Sequence, residues 1–407
     1  MTDNTSSYML IPWSAFRDTQ LLSRMSFSPA QFIDIPGPRF VNKRRSDKLD
    51  EVDTLKLEMP KLEVTEVRDG IVVGGTDFTL SGETAIFPDA FVPSRDTCPA
   101  EVFGVASIDR HKALMRLYLT HQPKKVNFAA ALLGQSATNY AHWLTEILPK
   151  LLVLDAFAEF DNAPLLLDHG LHPNILESVS ILNTKHRNVI MVGRWEPVRV
   201  DRLLYISQPG YEPYIPHGLS AKGLTGIVNT FSSPALNILR DTASRVTGKS
   251  GQAGAKKLYI RRSKSSGNLR GIINSDVIEG LVRVKGFQVV EPSSLTFFEQ
   301  VVACKQAEII VAPIGAALAN MIFSPAGCKV IALAPYYEEA SYYYYSNLAG
   351  VLGHEFYYIL GRQINKNGHP MHREYSIDPS ELEMAITSLL SNRSPLYKPN
   401  VDRELRK

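Results

Sequence analysis

Three short segments hold the residue types that can move protons or bind anions. The first is Asn139-Tyr140-Ala141-His142-Trp143-Leu144-Thr145-Glu146-Ile147-Leu148-Pro149-Lys150. At about 100° per residue, Asn139, His142 and Glu146 share one helical face and Leu144, Leu148 and Leu151 share the opposite one. The apolar side goes to the core, which leaves the Asn, His and Glu on a concave or solvent side. A His and a Glu four residues apart can hydrogen-bond. That raises the basicity of the imidazole or fixes its tautomer, and either residue can then take a proton from a hydroxyl. The plainer alternative is a helix start whose Asn and His satisfy nearby backbone groups.

The second segment is Tyr259-Ile260-Arg261-Arg262-Ser263-Lys264, followed by Arg270 and Asn274. Arginines at the carboxyl end of a strand in an open α/β sheet point at the crevice where ligands bind, and guanidinium suits bidentate contact with phosphate. Lys256, Lys257, Arg261, Arg262, Lys264 and Arg270 make the stretch cationic; a solvated loop is the alternative. The third runs from Glu308 through Pro313-Ile314-Gly315-Ala316-Ala317 to Asn320 and Phe323. A buried strand there enters a turn of small residues and then a helix, so the amides at Gly315, Ala316 and Ala317 face an anion at the positive helix end. Ordinary α/β packing would produce the same pattern.

The elements that position these segments can be read from periodicity. Gly70 to Gly74, Thr84 to Phe87 and Val126 to Leu133 are short β-rich runs separated by turn residues. After Asn139 the period becomes helical, with Pro149 deep enough to remove the amide that pairs with the Thr145 carbonyl and so to bend the helix. Strand candidates follow at Pro164 to Asp168 and Asn188 to Val192. The Gly-, Pro-, Ser- and Thr-rich stretch from Gly210 to Lys257, with one helix near Ala235 to Val246, marks a domain boundary. Beyond it, strands at Lys257 to Arg262, Phe287 to Val290, Glu308 to Ala312 and Lys329 to Leu333 alternate with helices at Ser275 to Lys285, Leu295 to Gln306 and Ala316 to Phe323. That alternation is a parallel α/β sheet covered on both faces. A last helix starts near Asp378 and could fold back on the first domain; a polar tail follows from Ser394.

Composition narrows the classes. The chain has 407 residues, 44% of them apolar, and a net charge of +3. A large core over two or three domains is expected, and nucleic-acid coating, collagen-like, disordered and small disulfide-rich classes are not. Cys98, Cys304 and Cys328 are too scattered for a disulfide framework or a zinc site. The N-terminus lacks a basic segment followed by an apolar stretch, and the longest apolar run, Ile309 to Ala319, is broken by Pro313 and Gly315, so the expected location is cytoplasmic. A basic cluster at Lys43, Arg44 and Arg45 leaves peripheral contact with the inner membrane open. There is no HExxH, GxGxxG, GxSxG or Asp-x-Asp, and Gly248-Lys249-Ser250 lacks the glycine and strand of a P-loop.

Taken together, the segments resemble glycosyltransferase family 61. Asn139 to Pro149 is similar to its N-x-x-H-W-L-x-(D/E)-x-L-P motif, Tyr259 to Asn274 to its Y-x-x-R strand with a following R-x-x-x-N, and Gly315 to Phe323 to its late G-A-x-L-x-N-x-(I/L)-F. The resemblance runs from about Asn139 to Leu360. It implies an α/β fold of GT-B type, with two Rossmann-like domains facing a central cleft and a β-rich N-terminal extension. Residues 1–230 would be the acceptor-side domain with that extension, 231–378 the nucleotide-sugar-binding domain, and 379–407 a C-terminal helix and tail.

The implied activity is inverting, metal-independent transfer from a nucleoside diphosphate sugar to a glycan or lipid-linked glycan hydroxyl, with no cofactor and no nucleic-acid partner. By matching position Glu146 is the candidate base with His142 beside it. Arg262, Lys264, Arg270 and the Gly315, Ala316 and Ala317 turn hold the donor diphosphate, and Asn139, Asn274 and Asn320 line the rest of the cleft. The absence of an N-terminal anchor favours a bacterial enzyme of capsule, exopolysaccharide or lipopolysaccharide assembly. Two positions depart from the family pattern. Ile314 stands where a His usually precedes Gly-Ala, and Ser275 where a Glu usually follows the Asn. They motivate a rival reading, a nucleotide- or glycan-binding pseudoenzyme that scaffolds polysaccharide assembly. A nucleotide-sugar epimerase is a third.

Overall fold

The computed structural model describes residues 5–17, 19–42, 53–119, 121–214, 229–248, 254–263, 270–338, 340–365, 368 and 370–396. The architecture is mixed α/β, as expected. The chain forms two compact units, neither continuous in sequence. The first takes Met1–Ile33, Lys56–Gly251 and Thr296–Val301; the second takes Asp34–Leu55, Gln252–Leu295 and Val302–Lys407.

In the first unit, β1 (Leu62–Val73), β2 (Lys124–Leu132), β3 (Leu165–Asp168), β4 (Val189–Val192) and β5 (Pro197–Ile206) lie in the order β4-β3-β2-β5-β1. The first four of that order are parallel, and β1 is antiparallel to β5. Ala129 and Ala130 on β2 and Leu165, Leu166 and Leu167 on β3 are fully buried. Such continuous apolar runs are what strands covered on both faces require. The sheet continues through Thr79–Ser81, Thr84–Phe87, Thr5–Pro12, Leu114–Tyr118 and Ala106–Asp109, the β-rich portion. From β2 the chain steps outward to β3 and β4 and then returns across β2 to β5. The crevice between the carboxyl ends of β2 and β5 is therefore a topological switch point, where open α/β sheets bind ligands.

Immediately after β2 comes α1 (Tyr140–His142), which passes into a π-helical turn (Trp143–Ile147) and then α2 (Leu148–Leu154). The sequence predicts a bend at Pro149, and the structure answers it with this π turn. Pro149 has no N–H for the Thr145 carbonyl, and the Leu148 N–H reaches back to the Trp143 carbonyl instead. Leu144, Leu148 and Leu151 are fully buried, as their spacing predicts, and Trp143 is buried with Nε1 donating to Ser178 Oγ at 2.9 Å. Ser178 belongs to α3 (Pro173–Leu182). After β5, a short strand β6 (Gly210–Tyr211) pairs with Thr230–Phe231, and α4 (Ser233–Gly248) packs on α2 and α3. That packing places α4 in the first unit, whereas the sequence reading starts the second domain at residue 231.

The second unit holds β7 (Lys257–Ile260), β8 (Gln288–Val290), β9 (Ile309–Pro313), β10 (Lys329–Pro335), β11 (Glu355–Gln363) and β12 (Tyr375–Ser376) in the order β8-β7-β9-β10-β11-β12. All neighbours are parallel except β12 against β11. Here the chain reverses direction between β7 and β9, which gives a second switch point. The segment Ala316–Phe323, expected as an α-helix, is a tighter 3₁₀ helix. α5 (Ser275–Val284) and the last helix, α6 (Pro379–Leu390), pack on this sheet. Leu382, Ala385, Ile386 and Leu389 enter the core with Ile278, Ile331 and Ile359, and Lys285 pairs with Glu383 at 2.8 Å. The sequence reading offered the first domain as a seat for α6; its apolar stripe is instead consumed by the second unit. Asn42 ties an N-terminal segment to the same sheet: its side chain donates to the Leu360 carbonyl at 2.8 Å and accepts from the Leu360 N–H at 3.0 Å.

Candidate active site

In the first unit, the switch point between β2 and β5 gathers a group of ionisable side chains. Asn139 caps α1, accepting the Ala141 N–H at 3.0 Å, so its oxygen does the structural task of a helix start even though the residue is exposed. His142, one turn on, is bounded by two carboxylates. Nδ1 lies 2.7 Å from Glu146 Oε1, and Nε2 lies 3.3 Å from Glu212 Oε2. The sequence reading put Glu146 on the open face with His142. The structure corrects this: the Glu146 side chain is 3% exposed, His142 17% and Glu212 34%. The π turn and the burial of the surrounding leucines draw Glu146 inward, and His142 stands between it and the surface.

Glu212 was not legible as a partner of His142 from its own neighbourhood in sequence. It is delivered by β6, and Pro149 is part of the reason. The Thr145 carbonyl, which Pro149 cannot bond, faces the backbone of Gly210; a Cβ at that position would sit 2.7 Å from the carbonyl oxygen. Glycine therefore allows β6 to pass against the π turn. Buried Tyr211 fixes the strand further, with its hydroxyl donating to Asp96 Oδ2 at 2.7 Å. The next residue is then set beside Nε2, where it also hydrogen-bonds the buried Asn229 side chain.

Behind this pair, Asp168 at the end of β3 accepts the Gly75 N–H at 2.6 Å and the Gly134 N–H at 3.0 Å, and Asp77 accepts the Gln135 N–H at 3.0 Å. Lys150, buried on α2, donates to the Leu133 carbonyl at 3.2 Å. Burial pushes the Asp168 carboxyl up to about 6 against the pull of those two amides. It also raises Asp77, Glu146 and Glu212, the last two opposed by the His142 charge, and lowers Lys150. For His142, burial works against the charged ring. The Glu146 charge and hydrogen bond, with help from Glu212 and Asp77, overcome it and lift the imidazole to about 9. A carboxylate–imidazolium–carboxylate row can accept or return a proton at its exposed end.

In the second unit, the switch point between β7 and β9 brings together two residues that the sequence places far apart. Arg262 follows β7, and Gly315 follows β9; a Cβ on Gly315 would lie 2.9 Å from Arg262 Nη1, so the guanidinium lies directly over the glycine. Burial, and next the charge of Arg270, lower the affinity of Arg262 for its proton. Two guanidinium groups that repel each other are both stabilised by an anion set between them. The Leu318 N–H closes the first turn on the Gly315 carbonyl at 2.9 Å. The Gly315, Ala316 and Ala317 amides therefore lie ahead of the helix's own bonding, as the first amides of a helix do. Arg262, Arg270, Gly315, Ala316 and Ala317 are thus gathered at one crevice.

Other expected members are not gathered there. Asn274 spends its side chain on Ile377, donating to the carbonyl at 2.7 Å and accepting the N–H at 3.1 Å, which locks a loop. Asn320 is 1% exposed, a core residue. Lys264, and the basic cluster at Lys43 to Arg45, lie outside the described residues. The three cysteines are buried and free, and among the described residues no group of His, Cys, Asp and Glu could hold a metal ion and no helix is long and apolar enough to cross a membrane.

Residues 140–331, just under half of the chain, match the family model described as Glycosyltransferase 61. No curated protein matches the chain. The match includes His142, Glu146 and Glu212 of the first unit and Arg262 and Gly315 of the second, and bears out the resemblance read from the three motifs.

Proposed function

We propose, from the premise that residues 140–331 form a glycosyltransferase family 61 domain, that the chain transfers a sugar from a nucleoside diphosphate donor to a glycan or lipid-linked glycan hydroxyl with inversion. The observation that carries the reading is the pairing of two chemistries at two switch points. Arg262 lies over Gly315 with Arg270 nearby in one sheet, and a carboxylate-bound imidazole sits in the other. The first arrangement suits a diphosphate. Guanidinium groups and turn amides take up the negative charge that grows on the leaving group as the anomeric C–O bond breaks. The second suits an acceptor hydroxyl, whose proton leaves to the exposed end of the carboxylate–imidazolium–carboxylate row around His142 as its oxygen attacks the anomeric carbon. A single in-line displacement inverts the configuration.

For both centres to act on one sugar, the units must adopt the two-lobed GT-B arrangement implied by the family resemblance. The lack of an Asp-x-Asp pair agrees with charge neutralisation by arginine in place of a metal. Surface polysaccharide assembly in a bacterium, on the cytoplasmic side of the inner membrane, is the biological setting we propose.

The test is a panel of nucleoside diphosphate sugars assayed for thermal stabilisation, calorimetric binding and release of nucleoside diphosphate with glycan acceptors. Glu146→Gln should lower turnover by orders of magnitude while nucleotide affinity holds; unchanged turnover in that variant removes Glu146 from the mechanism. Ile314, in place of the usual imidazole beside the diphosphate turn, and Ser275, in place of Glu, favour the rival reading of a binding protein without transfer. Binding of a donor with no release of product under any acceptor decides for the rival. Product from donor alone decides for an epimerase.

A further inference from the structure

We infer that Glu212 is a catalytic residue, the carboxylate that meets the acceptor hydroxyl, and that His142 and Glu146 are positioning residues that hold it. The inference deepens the proposed transfer reaction and rests on that reading.

Three observations support it. The first is access: along the row Glu146–His142–Glu212, side-chain exposure rises from 3% through 17% to 34%, so only the last carboxylate opens substantially to solvent. The second is fixation. Glu212 Oε2 sits 3.3 Å from His142 Nε2, its carboxylate is hydrogen-bonded by buried Asn229, and its backbone follows β6, which is set by the close passage of Gly210 against Thr145 and by the Tyr211–Asp96 bond. An exposed surface glutamate has no such supports, and ordering one costs side-chain entropy that the supports must offset. The third is topology. His142 follows β2 and Glu212 follows β5, the two strands that flank the switch point, so the crevice itself brings them together.

The charges that face this carboxylate are those of His142, from α1, and of Glu146, from the π turn; Asp77 faces His142 from the loop after β1. With Nδ1–H given to Glu146, the imidazolium charge, whose Nε2 lies 3.3 Å from Glu212 Oε2, favours the ionised form of that carboxylate. Burial pushes the Glu212 carboxyl upward, which strengthens it as a base. In the step, the acceptor O–H bond breaks and its proton passes to a Glu212 oxygen. The freed electron pair forms the new bond to the anomeric carbon, and the pair of the breaking C–O bond leaves with the diphosphate.

The experiment measures nucleoside diphosphate release from a donor that the wild-type chain turns over, with glycan acceptor and with water as acceptor, in Glu212→Gln and Glu212→Gly. Both variants should bind donor as wild type does and lose at least a hundredfold in kcat. Sodium formate, a small carboxylate that can enter the space left by Glu212→Gly, should restore turnover in a saturable way and should not restore Glu146→Gln. Turnover near wild type in Glu212→Gln overturns the inference and leaves the transferase reading intact. So does a folded Glu212→Gly chain, confirmed by circular dichroism, whose lost activity formate does not rescue, since a merely structural residue behaves that way. A wild-type chain that binds nucleotide but transfers nothing overturns both.

Discussion

Glu146→Gln keeps the volume of the side chain and removes the charge that holds the His142 ring protonated. In the wild-type chain, burial disfavours the imidazolium. The Glu146 carboxylate 2.7 Å from Nδ1, joined by Glu212 and Asp77, outweighs it and moves the ring from its ordinary 6.5 to about 9. At about 1.4 kcal/mol for each tenfold change in proton affinity, the net of pairing and burial favours the charged ring by roughly 3 kcal/mol. With the charge of Glu146 gone and the burial unchanged, the midpoint should fall well below 9. Carbon- and nitrogen-labelled histidine resonances followed from pH 5 to 10, with His142 assigned from its loss in His142→Gln, report that midpoint directly.

Stability follows by linkage. A histidine raised above its unfolded value stabilises the fold fully below about 6.5, and the contribution is lost as pH rises through about 9. The difference in unfolding free energy between wild type and Glu146→Gln should therefore shrink by a few kcal/mol at most across that alkaline window. If His142 still titrates near 9 in the variant, or the two stability profiles run parallel between pH 6.5 and 9, the pairing does not set its charge.

Three further outcomes are expected. Arg262→Ala should weaken nucleoside diphosphate binding roughly 10- to 150-fold, the worth of about 1.5–3 kcal/mol for hydrogen bonds to a charged group, with Arg262→Lys in between; equal affinity on calorimetry would remove Arg262 from the anion site. Gly210→Ala sets a methyl group 2.7 Å from the Thr145 carbonyl oxygen and should cost about 1–3 kcal/mol in urea unfolding, whereas an unchanged midpoint would mean that β6 is not pressed against the π turn. Pro149→Ala restores an N–H four residues after Thr145, so an ordinary α-helical bond can compete with the π turn. We expect a melting temperature equal to or above wild type together with at least tenfold slower release of nucleoside diphosphate; full activity would show that the π turn does not matter to the site.

The second unit's strands were legible because each is a short apolar run between helical stretches, and parallel strands buried on both faces must read that way. Arg262 and Gly315 could be placed in one crevice for the same reason, since both follow parallel strands and the carboxyl ends of such strands share an edge. The first unit is less legible: α3 and β5 are not among the elements expected from the sequence, and without β5 the switch point beside β2 has only one flank. That is why Glu212 was missed: its signal is topological, a residue shortly after a strand whose place in the sheet the local pattern does not specify. The inward turn of Glu146 was missed for a different reason. A 100° periodicity assumes an α-helix throughout, and the π turn forced by Pro149 changes the angle at the one place where it mattered. Asn274 and Asn320 show the opposite error, polar residues whose type suggested ligand contact and whose hydrogen bonds or burial serve the fold.

The clasp of Asn42 on Leu360 joins residues 318 positions apart. On a ribosome adding about 5–20 residues per second, the early segment emerges on the order of a quarter-minute to a minute before the strand it must grip exists. A fragment starting at the obvious break near residue 252 would be born without that clasp, and its Leu360 backbone would lack the amide that brackets it. Nascent chains of this protein therefore have a waiting period in which the front holds an unmet commitment to the rear, and chaperone capture during synthesis should concentrate there.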